Sequence, residues 1–290
     1  MRLPPRAKST LPAFCLVIAL LILIALAPHS GGSFSVAAEP QDPTGSEAFR
    51  AAESVSVLPF GSALLPVSAY RAEPCTDFGA YCRAGAEVMR TLALYPEGFF
   101  EAVSEYAGGV VIELCAGIRS EGSMPDLPAA VTADCLSFRL ILLKAEASSA
   151  GCALMHELCH VIDSCLDRAA ENDPSHWNEA DWNALNPEGF AYHNSYSPSA
   201  IEGGETKYAA EAPFDPADVF FINRYSMTFP TEDRAVAFET MMRVSPSADC
   251  MQSPHIRAKL KYYFEAIRYY LGSDEWPDKA FWEERLENLE

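Results

Sequence analysis

Apolar residues recur at helical spacing in several parts of the chain and gather into short near-continuous runs in two others. Residues 87–94 and 96–106 read as helices, with Pro96 placed to open the second. Residues 109–115 (GVVIELC) and 138–143 (FRLILL) read as buried strands. The second run leads directly into a stripe of Ala153, Leu154, Met155, Leu158, Val161, Ile162 and Leu166. No Pro or internal Gly interrupts residues 152–170, so this stripe predicts a helix, with Ser148 or Ser149 as its cap. Residues 171–218 lose regular periodicity and are rich in Asn, Pro, Gly and aromatics, the signature of a binding loop or an insertion. Further helices are expected at 235–243, initiated by Pro230-Thr231-Glu232-Asp233 with Thr231 as a cap, at 256–271 and at 277–289. The pattern predicts an α+β fold, a small mixed sheet beside a majority of helices.

The helix predicted at 152–170 carries His156-Glu157-Leu158-Cys159-His160. Residues four apart lie one above the other on a helix, so His156 and His160 can aim two imidazole nitrogens at one metal ion. Glu157, one residue past the first histidine, is placed to reach a water on that metal. Two ligands and a general base in this spacing are the H-E-x-x-H arrangement of zinc peptidases, in which the metal brings the pKa of its water to about 7.

The N-terminus and the charge place this chemistry. Arg2, Arg6 and Lys8 precede an uncharged apolar run at 11–27. A basic start followed by such a run is an export signal, cleaved or retained as a single N-terminal membrane anchor. Residues 1–38 are therefore expected to be a signal peptide or anchor, 39–74 a low-complexity linker or pro-segment, and 75–290 the metal-bearing domain. The positive-inside rule puts that domain in the extracellular space, secreted or anchored to the outer face of the cytoplasmic membrane. The chain's formal net charge is −19; its first 38 residues hold three basic and no acidic residues, leaving 18 basic against 40 acidic and a charge of −22. That excludes nucleic acid and anionic membrane surfaces as partners. Beyond Cys15 eight cysteines remain, an even number that predicts disulfides in an exported protein, with Cys75–Cys82 the simplest local pair. Cys152 and Cys159, about 10 Å apart along one helix, are excluded as partners.

Two histidines do not complete a catalytic zinc site. Asp163 and Leu166 exclude a His-x-x-Gly-x-x-His continuation, and His176 and His193 stand alone in the loop region. A carboxylate on a later element is required. Glu179, 19 residues past His160, and Glu232, at the start of the 235–243 helix, both qualify.

Arg224-Tyr225-Ser226-Met227-Thr228, followed by Glu232-Asp233-Arg234-Ala235, resembles the gluzincin metallopeptidases, in the form found in the anthrax lethal factor protease domain. There a tyrosine precedes a Glu-x-x-Ala helix by seven residues, the interval from Tyr225 to Glu232. The resemblance covers this stretch and H-E-L-C-H. It implies a zincin-like fold with Zn2+ held by His156, His160 and Glu232, Glu157 as base, and Tyr225 as hydroxyl donor to the developing oxyanion. The chain departs from the family at Val236, where an acid normally follows the ligand Glu by four residues. A carboxylate that orients a ligand histidine would then come from Asp163, Asp233 or Glu239. The expected activity is hydrolysis of peptide bonds in a protein or peptide substrate. The rival reading is a non-catalytic extracellular binding domain with a structural or vestigial zinc site.

Overall fold

A computed structural model describes residues 54–62, 70–120, 129–135, 137–147, 149–197, 199, 201, 207–211, 214–243 and 249–289. The export signal expected at 1–38 lies outside them. No helix among the described residues is long and apolar enough to cross a membrane.

The predicted strand at 109–115 is the centre of the sheet and extends further, as β3 (Val110–Ser120). One edge of β3 takes β1 (Val55–Val57) in parallel and β2 (Tyr70–Pro74) in antiparallel register. These strands lie inside the segment expected to be a linker, and the fold therefore begins well before Cys75. Alone they are too short to stand, but they satisfy backbone groups of β3 that would otherwise be left unpaired. The other edge of β3 takes β5 (Arg139–Lys144) in parallel. Outermost is β4 (Ala130–Asp134), antiparallel to β5 and, among the described residues, paired with no other strand. Its Ala-rich sequence carries little β signal, and only its place beside β5 makes it a strand.

Seven helices are described: α1 (Phe78–Leu92), α2 (Phe99–Ala107), α3 (Ala150–Ala170), α4 (Glu179–Ala184), α5 (Pro230–Arg243), α6 (Pro254–Leu271) and α7 (Phe281–Glu287). The helix expected from Pro96 starts later, after Gly98, and ends where Gly108, at φ +74°, turns the chain into β3 against the carbonyl of Ser137. Ser149 precedes α3, but its side chain makes no capping bond. Thr231, expected as a cap, is inside α5, because Pro230 with its pre-set φ already occupies the first position.

The alternation of β3 divides its side chains between two apolar clusters. Val110, Ile112 and Leu114 face the main core with α1, α2, α3 and α6, while Val111 and Ile118 join Val131, Leu140 and Leu142 in a smaller cluster. Helix α3 is the hub, packed on β4, β5, α1, α2, α5 and α6. All eight cysteines beyond Cys15 are free thiols, so the expected disulfides, Cys75–Cys82 among them, are not formed. Cys75 is buried against the carbonyl of Asp77, while Cys82 lies exposed on α1. Cys115, Cys159 and Cys165 are core residues on β3 and α3, serving as small apolar side chains.

Two buried ion pairs fasten α5. Arg234 Nε donates to Asp163 Oδ2 on α3 at 2.8 Å, and Lys259 Nζ on α6 donates to Asp233 Oδ2 at 2.7 Å. Tyr263 completes Asp163 through Oδ1 at 2.8 Å, and Tyr192 donates to Asp233. The Arg234 guanidinium also lies 5.1 and 5.4 Å from the rings of Trp177 and Trp182. Asp163→Ala would leave the Arg234 charge buried and uncompensated, an expected loss of about 3–5 kcal/mol. Replacing both with Asp163→Leu and Arg234→Met restores most of it. Urea unfolding of the two variants checks this, and a single variant as stable as wild type refutes it.

Candidate metal centre

His156 and His160 occupy the middle of α3 on its exposed flank, while Leu158, Cys159, Val161 and Ile162 are buried. The helical period thus sets the two histidines apart from the motif's apolar positions. Helix α5 packs against α3 and brings Glu232 from its first turn to the two rings. Glu232 Oε2 is 3.1 Å from His156 Nε2 and 3.6 Å from His160 Nε2. One ligand atom from each of the three residues lies within 4.8 Å of the others, the one such group of three among the described residues.

The donors suit a zinc-sized cation. Nitrogen and oxygen ligands sit about 2.0–2.2 Å from zinc, so tetrahedral neighbours stand about 3.3–3.6 Å apart, close to the separations from each histidine to Glu232. Both histidines present Nε2. His156 Nδ1 faces Glu239 Oε2 at 3.4 Å, and Glu239 is in turn held by Arg243 at 2.6 Å. This is the carboxylate–histidine pairing that fixes the ring of a metal ligand. Of the three acids expected for that role, Glu239 alone meets a histidine. Asp163 and Asp233 are committed to Arg234 and Lys259.

The acids around the group favour positive charge there, met by a proton on His156 when no metal is bound. Burial disfavours charge on His156, but hydrogen bonds to Glu232 and Glu239, with the charge of Glu157, lift it to about 10. Burial takes His160 the other way, down to about 4, leaving it the neutral imidazole that metal binding needs. Glu232 is held at about 2, the two histidines and Tyr196 outweighing the cost of burial. Glu157 is buried beside the group, facing β4: Thr132 Oγ1 donates to its backbone carbonyl at 3.1 Å. Desolvation raises the Glu157 carboxyl to about 7, offset in part by His156 and by hydrogen bonds from Thr132.

Tyr225, in a short 3-10 turn (Tyr225–Met227), places its ring 6.3 Å from that of His156, with its phenol toward Glu232. Its pKa is raised by burial and by the Glu232 charge, so it stays a hydroxyl donor. Glu179 opens α4, exposed and outside the group. His193 is exposed, its backbone N–H bonded to Met227 O, and His176 stacks on Tyr269. Cys159, a conceivable soft ligand, points into the core at Tyr263 Oη. The sequence reading missed Tyr196, whose phenol donates to Glu232 Oε1 at 2.6 Å. Nothing local marks it, because the contact spans 36 residues. His156, Glu157, His160, Tyr196, Tyr225, Glu232 and Glu239 line one cleft of about 2090 Å³ floored by β4 and α3.

No protein-family model, curated protein or solved structure matches the chain.

The chain is expected to bind one divalent metal ion, abolished by His160→Ala or Glu232→Ala and untouched by Glu179→Ala. Glu239→Gln should weaken binding about 10–100-fold. Metal titration of the purified chain measures all four, and loss with Glu179→Ala but not Glu232→Ala would move the third ligand.

Proposed function

We infer that the protein is a zinc-dependent peptidase of the gluzincin, zincin-like type, exported and acting outside the cytoplasmic membrane. One observation carries the reading: two Nε2 atoms from α3 and Glu232 from α5 converge beside the buried carboxylate of Glu157, in a cleft bounded by the edge strand β4. A purely structural zinc site is closed by four protein ligands and needs no base. Here three donors adjoin a base and a groove. The export signal at the N-terminus supplies the location.

His156, His160 and Glu232 would hold the zinc, which when bound supplies Lewis acidity and an acidified water. Among the described residues the outer edge of β4 pairs with no strand, so an extended peptide would add to the sheet there. That places its backbone across the mouth of the group, because Thr132 on β4 is bonded to Glu157. Glu157 takes the proton from the water as its oxygen bonds to the scissile carbonyl carbon. The carbonyl becomes a tetrahedral oxyanion, and the Tyr225 hydroxyl donates to it. Glu157 then passes the proton to the amide nitrogen as the C–N bond breaks, leaving a carboxylate and an amine. Glu157 suits both steps because it is buried, held by Thr132, and paired with no Lys or Arg among the described residues.

Cleavage of an unfolded protein substrate, followed by gel and mass spectrometry, tests the reading. Glu157→Gln should lower kcat by about 10²–10⁴ with bound metal retained, and Tyr225→Phe by about 10²–10³. A metal-loaded wild type with no turnover on extended peptides of varied sequence would leave a binding domain instead.

A further inference from the structure

Glu232 has two carboxylate oxygens, and the structure gives them different partners. Oε2 faces His156 and His160; Oε1 accepts the phenol of Tyr196 at 2.6 Å. The arrangement of the chain around Tyr196 is built for this contact. Backbone N–H groups of His193 and Asn194 donate to the carbonyls of Met227 and Thr228, at 3.1 and 2.8 Å, tying the segment to the turn that leads into α5. Just upstream, Tyr192 is bonded to Asp233, the neighbour of Glu232. Asn194 adopts φ +51°, the one non-glycine residue with positive φ among the described residues, in the left-handed region that Asn tolerates best. That local strain turns the chain so that Tyr196 comes back over the site. There its ring packs on Phe229 at 4.5 Å and on Tyr225 at 6.2 Å.

We propose that Tyr196 is a positioning residue of the metal site, which occupies Glu232 Oε1 so that the carboxylate binds the metal through Oε2 alone. The inference rests on the reading of His156, His160 and Glu232 as a metal site. A carboxylate free at both oxygens can chelate a cation through both, and would then take the coordination position that a catalytic site keeps open for water. A phenol is suited to preventing this. It is a single neutral donor, and its hydrogen bond to the carboxylate, at 2.6 Å, is short and charge-assisted. Tyr196 and Tyr225 therefore divide the work at one carboxylate. Tyr196 holds Oε1 at 2.6 Å, while Tyr225, its phenol also turned to Glu232, stands with its ring 6.3 Å from that of His156, on the side where substrate would enter.

The purified full-length chain is compared with Tyr196→Phe, which keeps the ring and its packing, and with Tyr225→Phe. Zinc affinity is measured by competition with a chelating dye, and coordination by the visible absorption of the cobalt(II)-loaded protein. That absorption weakens as the coordination number rises above four. Tyr196→Phe is expected to weaken zinc binding about 10–100-fold and to lower the intensity of the cobalt bands, with Tyr225→Phe close to wild type in both. Wild-type affinity and an unchanged cobalt spectrum in Tyr196→Phe overturn the proposal and leave the metal site standing. The same changes in Tyr225→Phe alone would assign the clamp to Tyr225 and overturn it equally. A wild type that binds neither zinc nor cobalt removes the metal site and this inference together.

Discussion

The buried pair between Asp163 on α3 and Arg234 on α5 is the constraint on which the candidate site depends. Each residue sits close to a proposed ligand, Asp163 three past His160 and Arg234 two past Glu232. The bond between them, 2.8 Å long with both groups almost wholly buried, sets how the first turn of α5 meets the middle of α3. Buried ion pairs contribute little net stability, since desolvation consumes most of the attraction, but they tolerate only one geometry. Apolar side chains would allow α5 to slide; this pair does not. The Asp233–Lys259 pair does the same toward α6, so three successive charged residues of α5 are each committed to a different partner. The two tryptophans flanking Arg234 come from the segment 171–218, which ties that segment to the same lock.

The site assembles around this lock from both sides. Helix α3 contributes His156, His160 and Glu157, and its apolar face supplies much of the core, so the candidate ligands stand on a well-packed element. Helix α5 contributes Glu232 at its start and Glu239 two turns later on the same face, one meeting Nε2 of His156 and the other Nδ1. The His156 ring is therefore gripped at both nitrogens by a single helix. Glu239 lies seven residues past Glu232, and two helical turns bring it back to nearly the same face, where it meets His156. The loop segment adds Tyr196 to the second oxygen of Glu232.

Among the elements, helices with long apolar stripes were legible from the sequence: α3, α5 and α6 fall where their periodicity places them, within a few residues. So were β3 and β5, whose apolar runs are buried on both faces. The strands that escaped notice, β1, β2 and β4, are short, and they exist because a longer strand lies beside them. The cysteine count pointed to disulfides, yet the thiols are free. Burial in a core and bridging place the same demand on composition, and parity does not distinguish them.

The sequence by itself determined what could be written within one helix. The i, i+4 spacing of His156 and His160, the base between them, and the apolar stripe that turns the motif toward a core all follow from 3.6 residues per turn. It also brought forward two carboxylates, Glu179 and Glu232, as candidates for a third ligand. Only the tertiary structure chose between them, because that choice depends on which helix packs across α3, and packing is settled by long-range contacts that leave no local periodicity. Glu232 stands beside the histidines because buried charges 71 and 26 residues apart hold α5 in place. Glu179, at the more familiar spacing, opens a short exposed helix and meets neither histidine. Glu239 and Tyr196 belong with Glu232 for the same reason: their roles arise from what each faces across a gap, and sequence distance carries no information about that.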